Sequence, residues 1–333
     1  MRRLRIHPQI SAVTLTGSPD AWTAQSGFPS ARIAPLGRCT TSHSGLSPFT
    51  VVASDGIRIS AARLGPTSPP ASVVYVHGML TDSTYWTPLT EHLHQHLDGG
   101  IAQIVYDQRG HGSSEHSQPG VRTTLPMLVA DLDVVLAHTH GAVVLVAHSV
   151  ASLLVGAWVQ QYPCRARALT GIVLFNGCSE FPWLPSSDAR TAGRRSRVCE
   201  RQLVEGLSTY LYESPSHYGL PRRSLFDTVR RRVRRDNLPT ALAALAAYCG
   251  AALNGETATV MRSIPTWVMT GQLDPVVAPS RSHHLAERIW GDYDSVPAAG
   301  HSLPYVEPAK ASEPILAALE VAYHTQQRDG GPL

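Results

Sequence analysis

Lysine is almost missing from this chain: Lys310 is the only one, so nearly all of the 28 basic residues are arginine, and the formal net charge is only +3. A nucleic-acid module carries a stronger basic field or a recognisable motif, and neither is here. Long apolar runs are missing too. The nearest, Ala241 to Leu253 (ALAALAAYCGAAL), falls short of the roughly 18 to 20 residues a membrane-spanning helix needs and reads as a buried or half-buried helix. Cysteine is sparse. The five residues Cys39, Cys164, Cys178, Cys199 and Cys249 are scattered, odd in number and without metal-ligand spacing, so small reduced thiols in a cytoplasmic protein are expected rather than a disulfide framework or a zinc site. The basic start, MRRLRIHPQIS, has no apolar h-region because His7, Pro8, Gln9 and Ser11 interrupt it, and no export signal is read there.

What the chain does have is material for a large core: 333 residues, 43% hydrophobic and 16% charged, enough for one or two domains at about 150 residues each. Residues 1–48 are rich in Ser, Thr, Pro, Gly and Ala without sustained periodicity, and a disordered extension is expected there. From Phe49, FTVVAS and IRISAARL flank Asp55-Gly56 as a hairpin with a tight turn. Short runs of Val, Ile and Leu follow at 72–78, 101–110, 142–149, 169–177 and 266–274, without the polar alternation of a half-exposed strand. Such runs suit parallel strands buried on both faces, with helices as crossovers. One crossover helix is legible in Leu125, Leu128, Val129, Leu132, Val135 and Leu136. The expected class is α/β, a mostly parallel doubly wound sheet formed by 49–177 and 260–325. Residues 178–259 break the rhythm and are expected to form an inserted helical cap.

In an open parallel sheet, ligands bind at the carboxyl ends of the strands, so polar residues there carry the chemistry. The strand AVVLVA runs into His148-Ser149-Val150-Ala151-Ser152 and then into the helical LLVGAWVQQY. This is the pattern of a nucleophile elbow, in which a strained turn exposes a serine hydroxyl beside a helix N-terminus.

On these residues the chain resembles the α/β-hydrolase family over roughly residues 49 to 325. The family's G-x-S-x-G stands here as Ala147-His148-Ser149-Val150-Ala151, with alanine for both glycines. The resemblance extends to His77-Gly78-Met79, where the family forms its oxyanion hole from the N–H after the His-Gly pair and the N–H after the nucleophile, here Met79 and Val150. It continues through Trp86 and through Asp107-Gln108-Arg109-Gly110-His111-Gly112-Ser113, a turn read as structural, organised by Asp107. It also covers Asp274, just past an apolar strand, and His301 in the segment Gly300-His301-Ser302. The chain order Ser149, Asp274, His301 is the order of the family's triad. Glu180 and Asp188 are alternative positions for the acid.

The resemblance implies a serine hydrolase acting on a carboxylic ester or thioester, with Ser149 as nucleophile, His301 as base, Asp274 as its partner, and no metal or other cofactor. Its partner is a small-molecule acyl substrate; nothing indicates an oligomeric state. Serine at the elbow argues against epoxide hydrolases and haloalkane dehalogenases, whose relatives use Asp there. Acyl transfer, carbon–carbon bond hydrolysis and cofactor-free peroxidation share the triad. A reading from another class, a binding protein on a retired hydrolase scaffold, is favoured by Ala147 and Ala151, and the retention of all three triad residues argues against it. In the expected cap, Arg190, Arg194, Arg195, Arg197, Arg201 and the run from Arg230 to Arg235 read as a solvated face. Leu203, Leu207, Tyr210, Leu211, Tyr212 and the Ala-rich helix ending near Leu253 read as a pocket roof or as simple helix packing.

Overall fold

The Val, Ile and Leu runs come together in one eight-stranded sheet. The computed structural model describes residues 45–79, 81–181 and 246–328. The arginine clusters and roof residues of the expected cap, Asp188, and the segment before Gly45 lie outside the described residues.

The sheet opens with β1 (Leu46–Val52) and β2 (Arg58–Leu64), antiparallel, with Leu46 opposite Leu64 and Val52 opposite Arg58. Asp55-Gly56 turns the chain tightly, as expected: Gly56 N donates to Ala53 O and Ala53 N to Ile57 O, both at 2.9 Å, with Gly56 at φ 85. The first strand begins at Leu46, ahead of Phe49. Next come β3 (Ala71–Val76) and β4 (Ala102–Tyr106), both buried at every position, as expected of strands covered on two faces. The order across the sheet is β1-β2-β4-β3, then β5 (Ala142–His148), β6 (Gly171–Phe175), β7 (Thr266–Gly271) and β8 (Asp292–Val296), parallel from β4 onward. The chain leaves β3 toward one edge and returns on its other side as β5. Their carboxyl ends therefore flank a topological switch point, where an open sheet leaves a crevice.

The edge strand β8 was not legible as an apolar run. Its sequence, Asp292-Tyr293-Asp294-Ser295-Val296, is polar and nowhere buried, as suits an edge that must not recruit a further strand.

Among the described residues, the α-helices are α1 (Thr87–His96), α2 (Leu125–Leu136), α3 (Ala151–Gln161), α4 (Pro163–Ala166), α5 (Gly255–Met261), α6 (Pro279–Ile289), α7 (Leu303–Val306) and α8 (Pro308–Arg328). Helix α2 covers the span its periodicity predicts and buries Leu128, Val129, Leu132, Val135 and Leu136, each such side chain contributing about 1.5 to 3 kcal/mol. Asp131 lies buried on the same helix and binds Arg109 through two bonds of 2.6 Å, from Nε and Nη2. Arg109 also reaches Asp55 in the hairpin loop at 2.7 Å. One buried guanidinium thus joins the loop after β4 to α2 and to the opening hairpin. Removing one partner of such a pair costs about 3 to 5 kcal/mol.

The expectation of small reduced thiols needs correction at Cys249, which is disulfide-bonded; Cys178 is a buried thiol and Cys164 an exposed one, while Cys39 and Cys199 lie outside the described residues. Scattered spacing along the chain says nothing about which cysteines meet in space. Among the described residues, no helix is long and apolar enough to cross a membrane.

Candidate active site

The segment from β5 to α3 has the geometry of an elbow. Ser149 sits at φ 60, the left-handed region that a residue with a Cβ enters at a cost, and the surrounding structure holds it there. Its N–H donates to Phe175 O at 2.9 Å, and its carbonyl accepts from Ser152 N at 3.0 Å and from Ser152 Oγ at 2.7 Å. Ser152 Oγ in turn accepts from Cys178 N at 3.0 Å, tying the elbow to the end of β6. Ala147 and Ala151, where the resemblance has glycine, are fully buried, and these main-chain bonds form with both methyl groups in place.

Two distant segments converge on Ser149. Its Oγ lies 2.9 Å from His301 Nε2, and His301 Nδ1 lies 2.8 Å from Asp274 Oδ2. All three residues are buried. The carboxylate of Asp274 can only accept, so His301 Nδ1 carries a proton and, in the neutral ring, Nε2 is left to accept from the hydroxyl. Asp274 is saturated with donors. Oδ1 takes Val276 N at 2.8 Å and Val277 N at 2.9 Å, while Oδ2 takes Asn176 Nδ2 at 2.6 Å beside His301. Four donors occupy the buried carboxylate and fix its rotation.

The loop after β3 closes the other side. Gly78 packs so tightly that an added Cβ would stand 2.6 Å from His148 Nδ1 and 3.2 Å from Ser149 Cβ, which explains the glycine without any special φ. His77 is buried and accepts from Gln108 N at 3.0 Å through Nε2, so its proton sits on Nδ1 and is donated to Gly78 O at 2.8 Å. Burial holds this ring below the ordinary histidine range. Thr81 Oγ1 also donates to Gly78 O, at 3.0 Å. In a planar trans peptide, a carbonyl anchored on one side turns the following N–H, that of Met79, to the other. Gln108 supports the loop further by donating to His77 O at 2.6 Å while accepting from Tyr248 OH at 2.7 Å. Among the described residues, neither the Met79 N–H nor the Val150 N–H meets an acceptor.

The turn at 107–113 is built around Asp107, whose carboxylate receives Ser83 N at 2.7 Å and Ser113 N at 2.8 Å. Gly112 is at φ 50, and a Cβ on it would fall 2.2 Å from Asp107 Oδ2. His111 stands against His77 with ring centroids 5.1 Å apart, and burial pushes it down to about 3.

The structure therefore brings Ser149, His301 and Asp274 into one hydrogen-bonded line, with His77, Gly78, Met79 and Val150 around it. Glu180 does not join them: it pairs with Arg281 at 3.3 Å and bridges to Ala252. Four participants escaped the sequence reading: Asn176, His148, Ser152 and Tyr85. Asn176-Gly177 reads as an ordinary turn signal, and only its place at a strand end hinted at more. His148 donates from Nε2 to His301 O at 2.7 Å and is stacked on Tyr85 with centroids 4.7 Å apart. Neither contact has a local sequence signature.

Comparison with known proteins agrees with this architecture. The family model described as "Alpha/beta hydrolase family" matches residues 73–313. Among solved structures, a thermophilic esterase from Thermogutta terrifontis superposes with a TM-score of 0.64 at 22% identity, covering 83% of this chain and 99% of its own. A structure described as a putative aryl esterase from Burkholderia cenocepacia gives 0.62 at 19% identity, over 84% and 100% of the two chains. A thioesterase domain from the curacin biosynthetic pathway gives 0.60 at 16% identity, over 82% and 100%. No curated protein matches in sequence. At these identities the structural likeness speaks for fold, and the family-model match over most of the chain settles membership: this protein belongs to the α/β-hydrolase family.

Proposed function

We propose that this hydrolase cleaves a carboxylic ester or thioester through an acyl-enzyme on Ser149. The observation that carries the reading is the line Asp274–His301–Ser149, with hydrogen bonds of 2.8 and 2.9 Å, ending beside two backbone N–H groups that have no other use among the described residues. His301 Nε2 takes the proton of Ser149 Oγ as the oxygen bonds to the substrate carbonyl carbon. The carbonyl oxygen becomes an oxyanion, which Met79 N–H and Val150 N–H receive; one such donor contributes about 2.7 to 4 kcal/mol to the transition state. The imidazolium, held by Asp274, returns its proton to the leaving alkoxide or thiolate as the carbon–oxygen or carbon–sulfur bond breaks. Water then repeats the cycle against the acyl-enzyme, with His301 as base, and releases the acid.

Esterases and a thioesterase domain among the structural neighbours agree with an acyl substrate of this class. The deciding experiment is fluorophosphonate labelling of the purified protein. Covalent modification at Ser149 that disappears in Ser149→Ala, together with turnover of p-nitrophenyl esters, is the expected result. A protein that neither labels nor turns over esters of graded chain length contradicts it.

A further inference from the structure

Asn176 follows directly on β6 with its backbone at φ 50, a left-handed conformation that asparagine tolerates better than most residues. Its amide nitrogen faces three oxygens: Asp274 Oδ2 at 2.6 Å, Gly300 O at 3.3 Å and Thr270 Oγ1 at 3.4 Å. A carboxylate and a carbonyl only accept, so chemistry alone dictates which end of the amide points there. Its Oδ1 is buried without a partner among the described residues, so the side chain is set for what its nitrogen donates. One amide thus ties the end of β6 to the end of β7, to the acid, and to the residue before His301. The oxygen it binds, Asp274 Oδ2, is also the one that holds His301 Nδ1.

We propose that Asn176 is a positioning residue for the hydrolysis assigned above: its amide fixes the spacing of Asp274 and the Gly300–His301 segment, and it shares the charge of Asp274 Oδ2 with the imidazole. The inference rests on the reading of Ser149, His301 and Asp274 as the catalytic line. A second donor on one carboxylate oxygen weakens that oxygen's hold on the first. With Asn176 removed, the carboxylate binds the imidazolium more tightly, the base picks up its proton at higher pH, and its position relative to Ser149 loosens.

The other titratable groups near His301 do not obscure this effect. His148 faces it with ring centroids 4.7 Å apart, and burial holds His148 well below the ordinary histidine range. His77 is likewise held down by burial, the Cys178 thiol is pushed up to about 12, and Glu180 and Arg281 are paired with each other.

The test is the pH dependence of kcat and KM for a p-nitrophenyl ester, between about pH 5 and pH 8.5, in Asn176→Leu, Asn176→Asp and Asn176→Gly, with folding checked by circular dichroism. Glycine accepts the φ of 50 and guards against a variant that fails for backbone reasons. In Asn176→Leu and Asn176→Gly, kcat is expected to fall about 10- to 100-fold with KM within about twofold, and the acid limb of the profile to rise by about half a pH unit. Asn176→Asp sets a second carboxylate beside the first and raises the acid limb by about one unit. A folded variant with the original kcat, or one that loses rate while its acid limb stays in place, overturns the inference. Ser149→Ala is measured alongside. If it retains turnover, the catalytic reading itself has failed; if it abolishes turnover while the Asn176 profiles stay put, only the role of Asn176 has.

Discussion

The ring of His148 donates to the main-chain carbonyl of His301 across 2.7 Å, so the residue immediately before Ser149 grips the backbone of the residue that faces its hydroxyl. A carbonyl only accepts, which puts the proton on His148 Nε2 and leaves Nδ1, packed against Gly78, without a partner among the described residues. The elbow, the histidine segment and the loop after β3 are thereby joined through one neutral imidazole.

Replacing that ring with an apolar side chain of similar size tests the joint. His148→Leu leaves the buried carbonyl of His301 without its donor, so stability drops by about 1 to 3 kcal/mol in urea unfolding and kcat falls about tenfold or more. An unaltered kcat shows that other contacts hold the segment.

For the proposed catalytic line, Ser149→Ala and His301→Ala are each expected to lose on the order of 10⁴- to 10⁶-fold in kcat for a p-nitrophenyl ester, with thermal unfolding close to the original. Asp274→Asn loses less, about 10³- to 10⁴-fold, because the ring can still reach Ser149 in part of the population. Near-normal turnover in either alanine variant refutes the assignment.

Gly78→Ala is the probe for the loop after β3. The added methyl would stand 2.6 Å from His148 Nδ1, so the loop must shift and carry the Met79 N–H with it. A fall of about 10²-fold in kcat, with KM much less affected, is expected from steady-state kinetics. Equal kcat in the variant removes Met79 from the proposed oxyanion hole.

The buried pair of Arg109 and Asp131 is a matter of stability alone. Asp131→Ala leaves a guanidinium whose side chain is 2% exposed with the half-exposed Asp55 as its remaining carboxylate, and urea titration should register a loss of about 3 to 5 kcal/mol. A loss under about 1 kcal/mol means that water or Asp55 replaces the lost partner.

Acid should weaken the fold through histidines that are neutral when buried. In the unfolded chain His111 gains its proton near 6.5; in the folded protein burial delays this to about 3. Between those values the unfolded state binds more protons, so stability falls with falling pH, by about 1.4 kcal/mol per unit for each such group. His77 and His148, displaced in the same direction by burial, add to the slope. Urea unfolding at a series of pH values should give a gentler slope in His111→Gln, and an identical slope shows that His111 is not among the groups responsible.

Much of this arrangement is legible in the amino-acid sequence. Buried strands declared themselves as Val and Ile runs because both of their faces are covered, and α2 declared itself by helical periodicity over the span it occupies. The elbow was readable because strand, serine turn and helix are contiguous, so one short segment contains its whole signal. Strand β8 escaped because an edge strand with polar faces has no apolar pattern to read. The disulfide at Cys249 escaped because pairing depends on which chain segments meet.

Local composition and period were thus sufficient to determine a parallel sheet of this class, the turn at Ser149, and which strand ends bear polar side chains. Only the tertiary structure decided how those ends combine: that Asp274 rather than Glu180 meets His301, that Asn176 and His148 lock the meeting, and that Gly78 lies against Ser149. The physical reason is range. Periodicity records what each residue does with its near neighbours, whereas a hydrogen bond between residues 149 and 301 is set by strand order and by packing in the crevice where the sheet reverses.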